Sequence, residues 1–377
     1  MDAHRESFPP FLLDAAEKCV ENSGAVQPRQ ENSAVRGRDH NDCRTFPVCA
    51  LAPHSALRLP GVLAYPFLMR YVLGFDGGGT KTDCVLMDET GAILARSRSG
   101  ASNPTTFGED TSLASLTHGA ADALRAAGKS KQDVAYLVAG ISGAGEPAMR
   151  WALQSGLQLR FPNAKICVTS DLVLSLAATG EIPSVVVIAG TGSAVLGRTT
   201  PVKLVRAGGF GPVIGDPGSA YDIGRKAAAV CVQKHLNNEA FPLGAKILAA
   251  FGWKFDEFLD QARAQPAAVF PKVFPVLANA AESGDAAAQA LLTAGAQDLR
   301  DQAREVIEKL KLTGASFFLA KTGGVFDGSA FLNSQFDSMI QKISPKARIG
   351  PLPRSVAEAA AQLAREALTN PLVLDES

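Results

Sequence analysis

The feature that most constrains the fold is the stretch from Tyr71 to Met87, YVLGFDGGGTKTDCVLM, in which two apolar runs flank three consecutive glycines. Apolar runs of this length bounded by glycine are typical of strands, so the stretch predicts a hairpin whose turn is nearly all glycine. Glycine lets a ligand approach main-chain N–H groups closely. Asp76, at the end of the first run, adds a carboxylate, which suits either a magnesium-bound polyphosphate or a tight hairpin without a ligand.

A second glycine turn, Gly190-Thr191-Gly192-Ser193, follows the apolar run Val185–Ala189 a little over a hundred residues later. Each turn stands in the same strand–turn–strand–strand setting. Self-similarity at this spacing predicts a duplicated domain and not a short-period array. Two such turns, one in each half, could face each other across a cleft and hold the phosphates of a nucleotide from both sides.

The remaining pattern alternates between strands and helices, which predicts α/β layers with mixed sheets. Strands are predicted at 71–75, 84–88, 93–99, 134–139, 166–169, 185–189, 202–207 and 317–320, with a further strand after the second glycine turn that runs through Gly197. Helices are predicted at 112–127, 148–155, 171–179, 220–235, 285–310, 329–343 and 355–368. Residues 99–110 are predicted to form a loop.

Composition and charge exclude several classes of protein. The 377 residues have zero formal net charge, which offers no electrostatic attraction to nucleic acid or to an anionic membrane. No apolar run approaches the roughly 20 residues that a membrane-spanning helix needs. Six cysteines without paired spacing indicate reduced thiols and a cytoplasmic location. Cys84, Cys167 and Cys231 lie in apolar runs and are predicted to be core residues.

The chain is predicted to have three parts. Residues 1–69 mix Pro, Arg, Asn and Ser without a sustained period, so we expect a poorly structured N-terminal extension. Because Met69 immediately precedes the first strand, we expect the natural start at this residue. Residues 70–183 and 184–377 are expected to form the two related domains, the second with a helical insertion and a final helix.

Common nucleotide-binding and hydrolytic motifs are absent from the sequence. The P-loop pattern is missing, since Gly79 is followed by Thr80 and then by a strand instead of a helix. The dinucleotide fingerprint before a helix is also missing, as are H-E-x-x-H, G-x-S-x-G and H-R-D segments. The glycine turns therefore belong to another kind of phosphate site.

Six motifs occur in order along the chain: DGGGTKT (76–82), SNPT (102–105), TSD (169–171), AGTGS (189–193), GGFGPVIGDPGSAYDIG (208–224) and TGGVF (322–326). From about Tyr71 to the C-terminus the chain resembles the actin/hexokinase/Hsp70-type ATPase superfamily. The particular branch is the BadF/BadG/BcrA/BcrD type, which includes N-acetylglucosamine kinase and bacterial glucosamine kinase. The resemblance implies two actin-like (ribonuclease H-like) domains with mixed five-stranded sheets around a nucleotide cleft.

The same resemblance implies an ATP-dependent kinase that phosphorylates the 6-hydroxyl of an amino sugar, with ATP and Mg²⁺ as cofactors. N-acetylglucosamine is expected first and glucosamine second, and the protein is expected to be a homodimer without a nucleic-acid or membrane partner. A rival within the superfamily is an ATPase activase of a CoA-dependent dehydratase or reductase. Such activases hold an iron–sulfur cluster through cysteines in the second half, where this chain has only Cys231. A non-enzymatic sugar-responsive regulator is the remaining alternative.

The resemblance also implies roles for individual residues. The nucleotide would be bound by Gly78, Gly79, Thr80, Gly190, Thr191, Gly192, Gly323 and Gly324. The sugar would be bound by Asn103, Asp171, Ser193, Ala194, Gly209, Phe210, Gly211 and Asp216. Asp76 would place Mg²⁺ through water, and Asp171 would be the general base. Lys81 is predicted to face solvent.

Each polar candidate also has a structural interpretation. A sugar hydroxyl is a poor nucleophile, and a carboxylate such as Asp171 could accept its proton, but Asp is also a preferred helix N-cap. Asn103 before Pro104 is by default a turn residue, and Asp216 could cap the following helix. Two departures from the family pattern are the proline of GDPGS, where relatives often have glutamate, and the segment 353–357, which lacks the usual Gly-Ala pair.

Overall fold

The computed structural model describes residues 69–201, 203–370 and 372 of the chain. The described residues form one compact unit. The predicted N-terminal extension lies outside the described residues except for Met69. All the described strands and helices belong to this unit.

The first sheet has five strands in the order β3-β2-β1-β4-β5. They are β1 (Tyr71–Gly77), β2 (Thr82–Asp88), β3 (Ile93–Ser99), β4 (Val134–Ile141) and β5 (Lys165–Thr169). β1 pairs with β2 in antiparallel register, Phe75 opposite Cys84, and with β4 in parallel register. The sheet is therefore mixed, with three parallel strands whose carboxyl ends meet at one edge.

The second sheet repeats this topology, with the strand order β10-β9-β6-β7-β8. Its strands are β6 (Ser184–Ala189), β7 (Ser193–Arg198), β8 (Leu204–Gly208), β9 (Phe317–Thr322) and β10 (Ala347–Pro351). β6 is antiparallel to β7 and parallel to β9, as β1 is to β2 and β4. The predicted pair of mixed five-stranded sheets is confirmed. The division into domains at residue 184 stays a prediction.

Helices cover the sheets and form the insertion between β8 and β9. They are α1 (Pro104–Phe107), α2 (Glu109–Ala126), α3 (Pro147–Arg160), α4 (Asp171–Ala177), α5 (Ala220–Leu236), α6 (Pro242–Phe251), α7 (Phe255–Ala264), α8 (Pro266–Glu282), α9 (Ala286–Lys309), α10 (Gly324–Gly328), α11 (Ala330–Ile343) and α12 (Val356–Glu366). No helix among residues 69–201, 203–370 and 372 combines the length and apolarity that spanning a bilayer requires.

Helix ends follow from the local sequence. Asp285 caps α9 by accepting hydrogen bonds from the N–H groups of Ala287 and Ala288, and Ser219 caps α5 by accepting from Asp222. These side chains satisfy backbone donors that have no partner in the first turn of a helix. α9 then runs along the second sheet, and its Leu292, Leu299 and Val306 are buried in the hydrophobic cluster that also contains Val185 and Val187 of β6.

The final helix packs on the first sheet, although the sequence prediction groups it with the second half. α12 lies against β1, β2, β4 and α4. Its approach is so close that a Cβ at Gly74 would lie 2.1 Å from the backbone nitrogen of Ala361. The two sheets are thus tied together by the chain itself, since α12 follows β10 of the second sheet.

Two local predictions are wrong. Residues 104–107, within the predicted loop, form the single-turn helix α1. β10 was not predicted, because the segment ARIGP contains a glycine and a proline and has only one fully buried side chain. The prediction for Lys81 is confirmed: its side chain is half exposed and forms an ion pair with Asp83, 2.7 Å away.

The cysteines of the first sheet and of α5 lie in or beside the core. Cys84 and Cys231 are buried, as predicted, and Cys167 packs in part against the core below α12.

Candidate functional site

The carboxyl edge of the first sheet brings three predicted segments together. The backbone N–H of Ser142, after β4, donates to the carbonyl of Gly77 at the end of β1, 2.8 Å away. The N–H of Ser102 donates to the carbonyl of Gly78, 2.9 Å away. These bonds fix the first glycine turn between the SNPT segment and the turn that follows β4. Gly79 and Thr80, at the tip of the turn, are exposed.

Asp171 lies at the start of α4, directly after the end of β5. It is the first helical residue, and Ser170 occupies the N-cap position, so the N-cap alternative for Asp171 is wrong. Its carboxylate accepts hydrogen bonds from the N–H of Leu172, 3.1 Å away, and from the hydroxyl of Ser142. Burial nevertheless raises the pKa of Asp171 above its usual range. A carboxylate with a raised pKa is a stronger proton acceptor than an ordinary aspartate.

Asp76 lies close enough to Asp171 for the two negative charges to repel each other. Burial, together with the charges of Asp171 and Asp83, raises the pKa of Asp76 to about 6, while Lys81 opposes that shift. The edge therefore has an excess of negative charge that a cation would relieve.

Asn103 lies beside the same edge but also has a structural role. It is the N-cap of α1, where its Oδ1 accepts from the N–H of Thr105 at 3.0 Å and from the Thr105 hydroxyl at 2.7 Å. Gly143 adopts a φ of +87°, and a Cβ there would lie 2.4 Å from Asn103 Oδ1. Asn103 thus contacts the turn that carries Ser142, and its amide nitrogen donates to none of the described residues.

The second glycine turn, between β6 and β7, is braced by α5. The N–H of Ala220 donates to the carbonyl of Gly190 at 2.9 Å, and the N–H of Tyr221 donates to that of Thr191 at 3.4 Å. Gly323 lies next to this turn, since a Cβ there would be 2.4 Å from the carbonyl oxygen of Ala189. Its φ of +107° also favours glycine. The structure thereby brings Gly190–Gly192 and Gly323–Gly324 together.

Gly79, Gly190 and Gly324 are not explained by internal packing. No heavy atom lies within 4 Å of the position that a Cβ would take at any of the three. None of them has a positive φ, so their backbone conformations do not require glycine either. Contact between a ligand and the bare backbone would supply a reason for glycine at all three positions.

Residues 208–218, which begin at the last residue of β8, form a loop whose inner side faces the second glycine turn. Asp216 accepts a hydrogen bond from the N–H of Gly211 at 3.1 Å, and a Cβ at Gly192 would lie 2.4 Å from its Oδ2. The Ser193 hydroxyl donates to the carbonyl of Pro217, 2.8 Å away, and Ala194 is buried beneath. Because Ser219 caps α5, the cap alternative for Asp216 is wrong. Burial raises the pKa of Asp216.

The outer part of this loop is exposed. The N–H of Gly209 donates to the carbonyl of Ser193, whereas the ring of Phe210 is 68% exposed. The Arg206 guanidinium lies over that ring, 4.8 Å from its centroid.

Arg206 connects the two edges. Its positive charge lowers the pKa values of both Asp171 and Asp216, partly offsetting the effect of burial. A cleft of about 140 Å³ lies beside it, lined from the first half by residues such as Arg150 and Ser170 and from the second by Leu196 and Leu204. Arg206 and Ser142 were missed by the sequence analysis. Two sequence signals pointed to this region: the turn GISGAGEP, which contains Ser142, and the motif at 208–224, which begins just after Arg206.

The two glycine turns do not contact each other through hydrogen bonds in the described part of the chain. Each is held by its own sheet, and the cleft with Arg206 and Asp171 lies between the halves. The ligand roles assigned to individual residues stay predictions.

Residues 73–361 match the model of the BadF/BadG/BcrA/BcrD ATPase family. An N-acetylmuramic acid/N-acetylglucosamine kinase from Clostridium acetobutylicum is 27% identical over 302 residues, which cover 79% of this chain and 99% of the relative. An N-acetyl-D-glucosamine kinase from Dictyostelium discoideum is 27% identical over 303 residues, covering 74% of this chain and 92% of the relative.

Among solved structures, a candidate N-acetylglucosamine kinase from Chromobacterium violaceum is similar, with a TM-score of 0.65 and 23% identity. The match covers 78% of this chain and 99% of that one. At this identity the similarity establishes the fold.

Proposed function

The chain belongs to the BadF/BadG/BcrA/BcrD ATPase family, and from this premise we propose that it transfers the γ-phosphoryl group of ATP to the 6-hydroxyl of an amino sugar. N-acetylglucosamine is the proposed acceptor, because both curated relatives are kinases of this sugar by name. The observation that carries the proposal is the position of Asp171, a half-buried carboxylate at a sheet edge that adjoins a glycine turn.

The nucleotide would lie against the open backbone of the two glycine turns. Gly79, Gly190 and Gly324 leave space beside the main chain, so phosphate or ribose oxygens could reach N–H groups there. Oriented N–H groups stabilise the negative charge of a polyphosphate without side-chain rearrangement.

The residues of the first edge fit a magnesium ion. Asp76 lies near a second carboxylate, Asp171, and its pKa is raised. A divalent cation would offset the repulsion between the two negative charges. Mg²⁺ commonly uses one or two carboxylates, water and the substrate phosphates, and does not need an all-protein cage. When bound, the ion would neutralise charge on the phosphates.

Asp171 would accept the proton of the sugar 6-hydroxyl as that oxygen attacks the γ-phosphorus. The new O–P bond forms while the bond between the γ-phosphorus and the β,γ-bridging oxygen breaks, and ADP leaves. Ser142 would orient the Asp171 carboxylate through its hydroxyl hydrogen bond. Arg206 would keep enough Asp171 ionised for it to act as a base near neutral pH.

The sugar would occupy the cleft between Asn103 on one side and the 208–218 loop on the other. Asn103 has a free amide nitrogen with respect to the described residues, and amide groups suit sugar hydroxyls as donors. Ser193, Ala194, Gly209, Phe210, Gly211 and Asp216 are the proposed contacts on the opposite side.

The activase alternative is disfavoured by the surroundings of Cys231. This thiol is buried in α5, where burial raises its pKa to about 11. A cluster-binding cysteine must be an accessible thiolate. Homodimer formation and a cytoplasmic location remain predictions.

The test is a panel of hexoses and amino sugars in an ADP-release assay with the full chain, ATP and magnesium. Sugar-stimulated ADP release with N-acetylglucosamine is expected, and phosphorus NMR of the product should place the phosphate on the 6-oxygen. Failure of every sugar in the panel to raise ADP release above background would contradict the proposed function. Greater turnover with glucosamine would revise the acceptor alone.

A further inference from the structure

Gln302 is a buried polar residue on α9 that the sequence pattern would classify as part of an ordinary core helix. Its residue is 6% exposed, and α9 packs against β7 and β8. We propose that Gln302 is a positioning residue for the amino-sugar subsite and fixes both ends of the 208–218 loop. This inference rests on the proposed function, because it concerns how the same site recognises its acceptor.

The carboxamide nitrogen of Gln302 joins two segments that are distant in sequence. Its Nε2 donates to the carbonyl of Pro217 at 2.7 Å and, more weakly, to the Ser193 hydroxyl at 3.4 Å. The Ser193 hydroxyl itself donates to the same Pro217 carbonyl. One side chain thus holds the start of β7 and the end of the loop in a three-membered network.

The carboxamide oxygen lies against the beginning of the loop. A Cβ at Gly208 would lie 1.9 Å from Gln302 Oε1, and Gly208 has a φ of +71°. Any other residue at position 208 would therefore have to displace the Gln302 side chain. Gln302 contacts both ends of the loop, one through each end of its amide group.

An amide at this position has a cost that an apolar side chain would avoid. Oε1 is buried and has no hydrogen-bond partner among the described residues. A buried polar atom without a partner destabilises the folded state, whereas leucine or methionine would fill a helix core without that penalty. The two N–H donors of Nε2 offset this cost, because they hold Pro217 and Ser193 in place. Rotating the amide by 180° would set its oxygen against the Pro217 carbonyl oxygen, so only one orientation works.

The restraint on Pro217 reaches Asp216, the residue before it. Asp216 packs against Gly192 and binds the N–H of Gly211. Between the two held ends, the loop tip is open: Val213 and Ile214 are 82% and 85% exposed. Gln302 therefore sets where the loop begins and ends while its tip stays free to contact an acceptor.

The nucleotide side of the same region has separate support. Gly190 and Thr191 are held by the N–H groups of Ala220 and Tyr221, and the N–H of Gly190 donates to the carbonyl of Gly192 at 2.8 Å. None of these bonds involves Gln302. Loss of the Gln302 donors should thus affect the sugar subsite much more than the ATP subsite.

The test compares Gln302→Met, which keeps an unbranched side chain of similar length but removes both donors, with the wild-type chain. Gln289→Met is the matched control, since Gln289 is on the same helix and donates from Nε2 to the Ala281 carbonyl, away from the loop. The KM for N-acetylglucosamine, the KM for ATP, kcat and the melting temperature are measured for each. Gln302→Met should raise the sugar KM about tenfold and leave the ATP KM within about twofold. Gln289→Met should change neither constant.

A second variant, Gln302→Glu, adds a second measurement, the pH dependence of the sugar KM. A purely structural role for Gln302 would not change this dependence. As a carboxylate the glutamate has no donor, but when protonated it again offers one O–H group to Pro217. Its sugar KM relative to wild type should therefore be lower at pH 5.5 than at pH 8. This comparison also decides the question if Gln302→Met does not fold.

An unchanged sugar KM in Gln302→Met would overturn the inference while leaving the proposed function intact. So would a parallel rise of both KM values with a lower melting temperature, or a Gln302→Glu defect that is independent of pH. Absence of amino-sugar phosphorylation by the wild-type chain would instead overturn the proposed function, and the inference with it.

Discussion

The first and second sheets have the same topology but different chemistry at their carboxyl edges. Asp76 directly precedes the glycines at the end of β1, whereas Ala189 directly precedes the glycine turn after β6. The first edge also has Asp171 and Ser142, while in the second edge the turn is supported from outside by α5 and, through Ser193, by α9. The two halves thus have similar glycine turns, whereas the neighbouring carboxylates Asp76 and Asp171 lie at the first edge.

The difference indicates a division of roles between the halves. The first edge would supply the base, the magnesium ligand and one glycine turn for the nucleotide. The second edge, supported by the helical insertion, would supply the other glycine turn and shape the sugar loop. Arg206 belongs to the second sheet but acts on the carboxylates of both halves. Single substitutions at the two edges should separate these roles.

The largest effect is expected from Asp171→Asn, which removes the proposed base from the first edge. We expect kcat to fall by about 10²–10⁴-fold, the usual contribution of a positioned general base. Steady-state kinetics with N-acetylglucosamine measures the effect. Asp110→Asn is the control, because Asp110 is an exposed aspartate in the first turn of α2 and should be silent. Retention of wild-type kcat in Asp171→Asn would remove the base assignment.

Substitution of Gly190 by valine should weaken ATP binding without loss of stability. The side chain would project into open space, so the free energy of unfolding should stay within about 1 kcal/mol of wild type, while the KM for ATP rises roughly ten- to hundredfold. Gly323→Ala is the contrast, because its Cβ would meet the Ala189 carbonyl and its φ is unfavourable. That variant should lose stability as well, by about 1–3 kcal/mol in urea unfolding. Equal destabilisation in both variants would refute the open-space argument.

Asp76→Asn should stabilise the magnesium-free protein at pH 7 by roughly 2–3 kcal/mol. The pKa of Asp76 is raised to about 6 in the folded state from an ordinary value of 3.8, so the folded state binds the proton more tightly. Stability is therefore lost as the pH rises from about 4 to about 6, and the asparagine variant escapes this loss. Urea unfolding at pH 4 and pH 7 measures it, and the difference between the proteins should be much smaller at pH 4 than at pH 7.

Asp88→Asn is the matched control for that experiment, because Asp88 lies at the other end of β2. Burial opposes the shift, but hydrogen bonds from Thr90 and from the N–H of Ala92 lower the pKa of Asp88, so its replacement should destabilise the protein at pH 7 instead. A destabilising effect of Asp76→Asn at pH 7 without magnesium would show that the ionised Asp76 carboxylate does not destabilise the folded state.

The smallest effect is expected from Arg206→Gln. Removing this charge should raise the pKa of Asp171 further, so the acid limb of the pH–rate profile should move to higher pH. Arg125→Gln, at an exposed arginine of α2, should leave the limb in place. A shift of the acid limb toward lower pH, or no shift, would show that Arg206 does not lower the pKa of the base.

Much of the fold could be predicted, because its signals are local. The two glycine turns and the meanders that follow them are visible in the sequence, and they fix three strands of each sheet. β10 lacked such a signal: it pairs only with β9, and its short segment ends in a glycine and a proline. α1 is a single turn begun by Asn103, too short for any periodicity.

The site could be predicted less completely, since its contacts cross long distances in sequence. Ser142 reaches Asp171 because β4 and β5 are neighbours, and Arg206 acts on Asp171 across the two halves. Gln302 follows the apolar spacing of α9 and carries no motif of its own. Its role becomes visible only when Pro217 and Ser193 are placed beside it.

The division of roles between the halves is tested most directly by ATP affinity, measured by calorimetry for wild type, Asp171→Asn and Gly190→Val. Asp171→Asn should bind ATP as tightly as wild type, because it alters only the first-half base. Gly190→Val should bind at least about tenfold more weakly, because it blocks the second-half turn. Equal loss of affinity in the two variants, or wild-type affinity in Gly190→Val, would contradict the division.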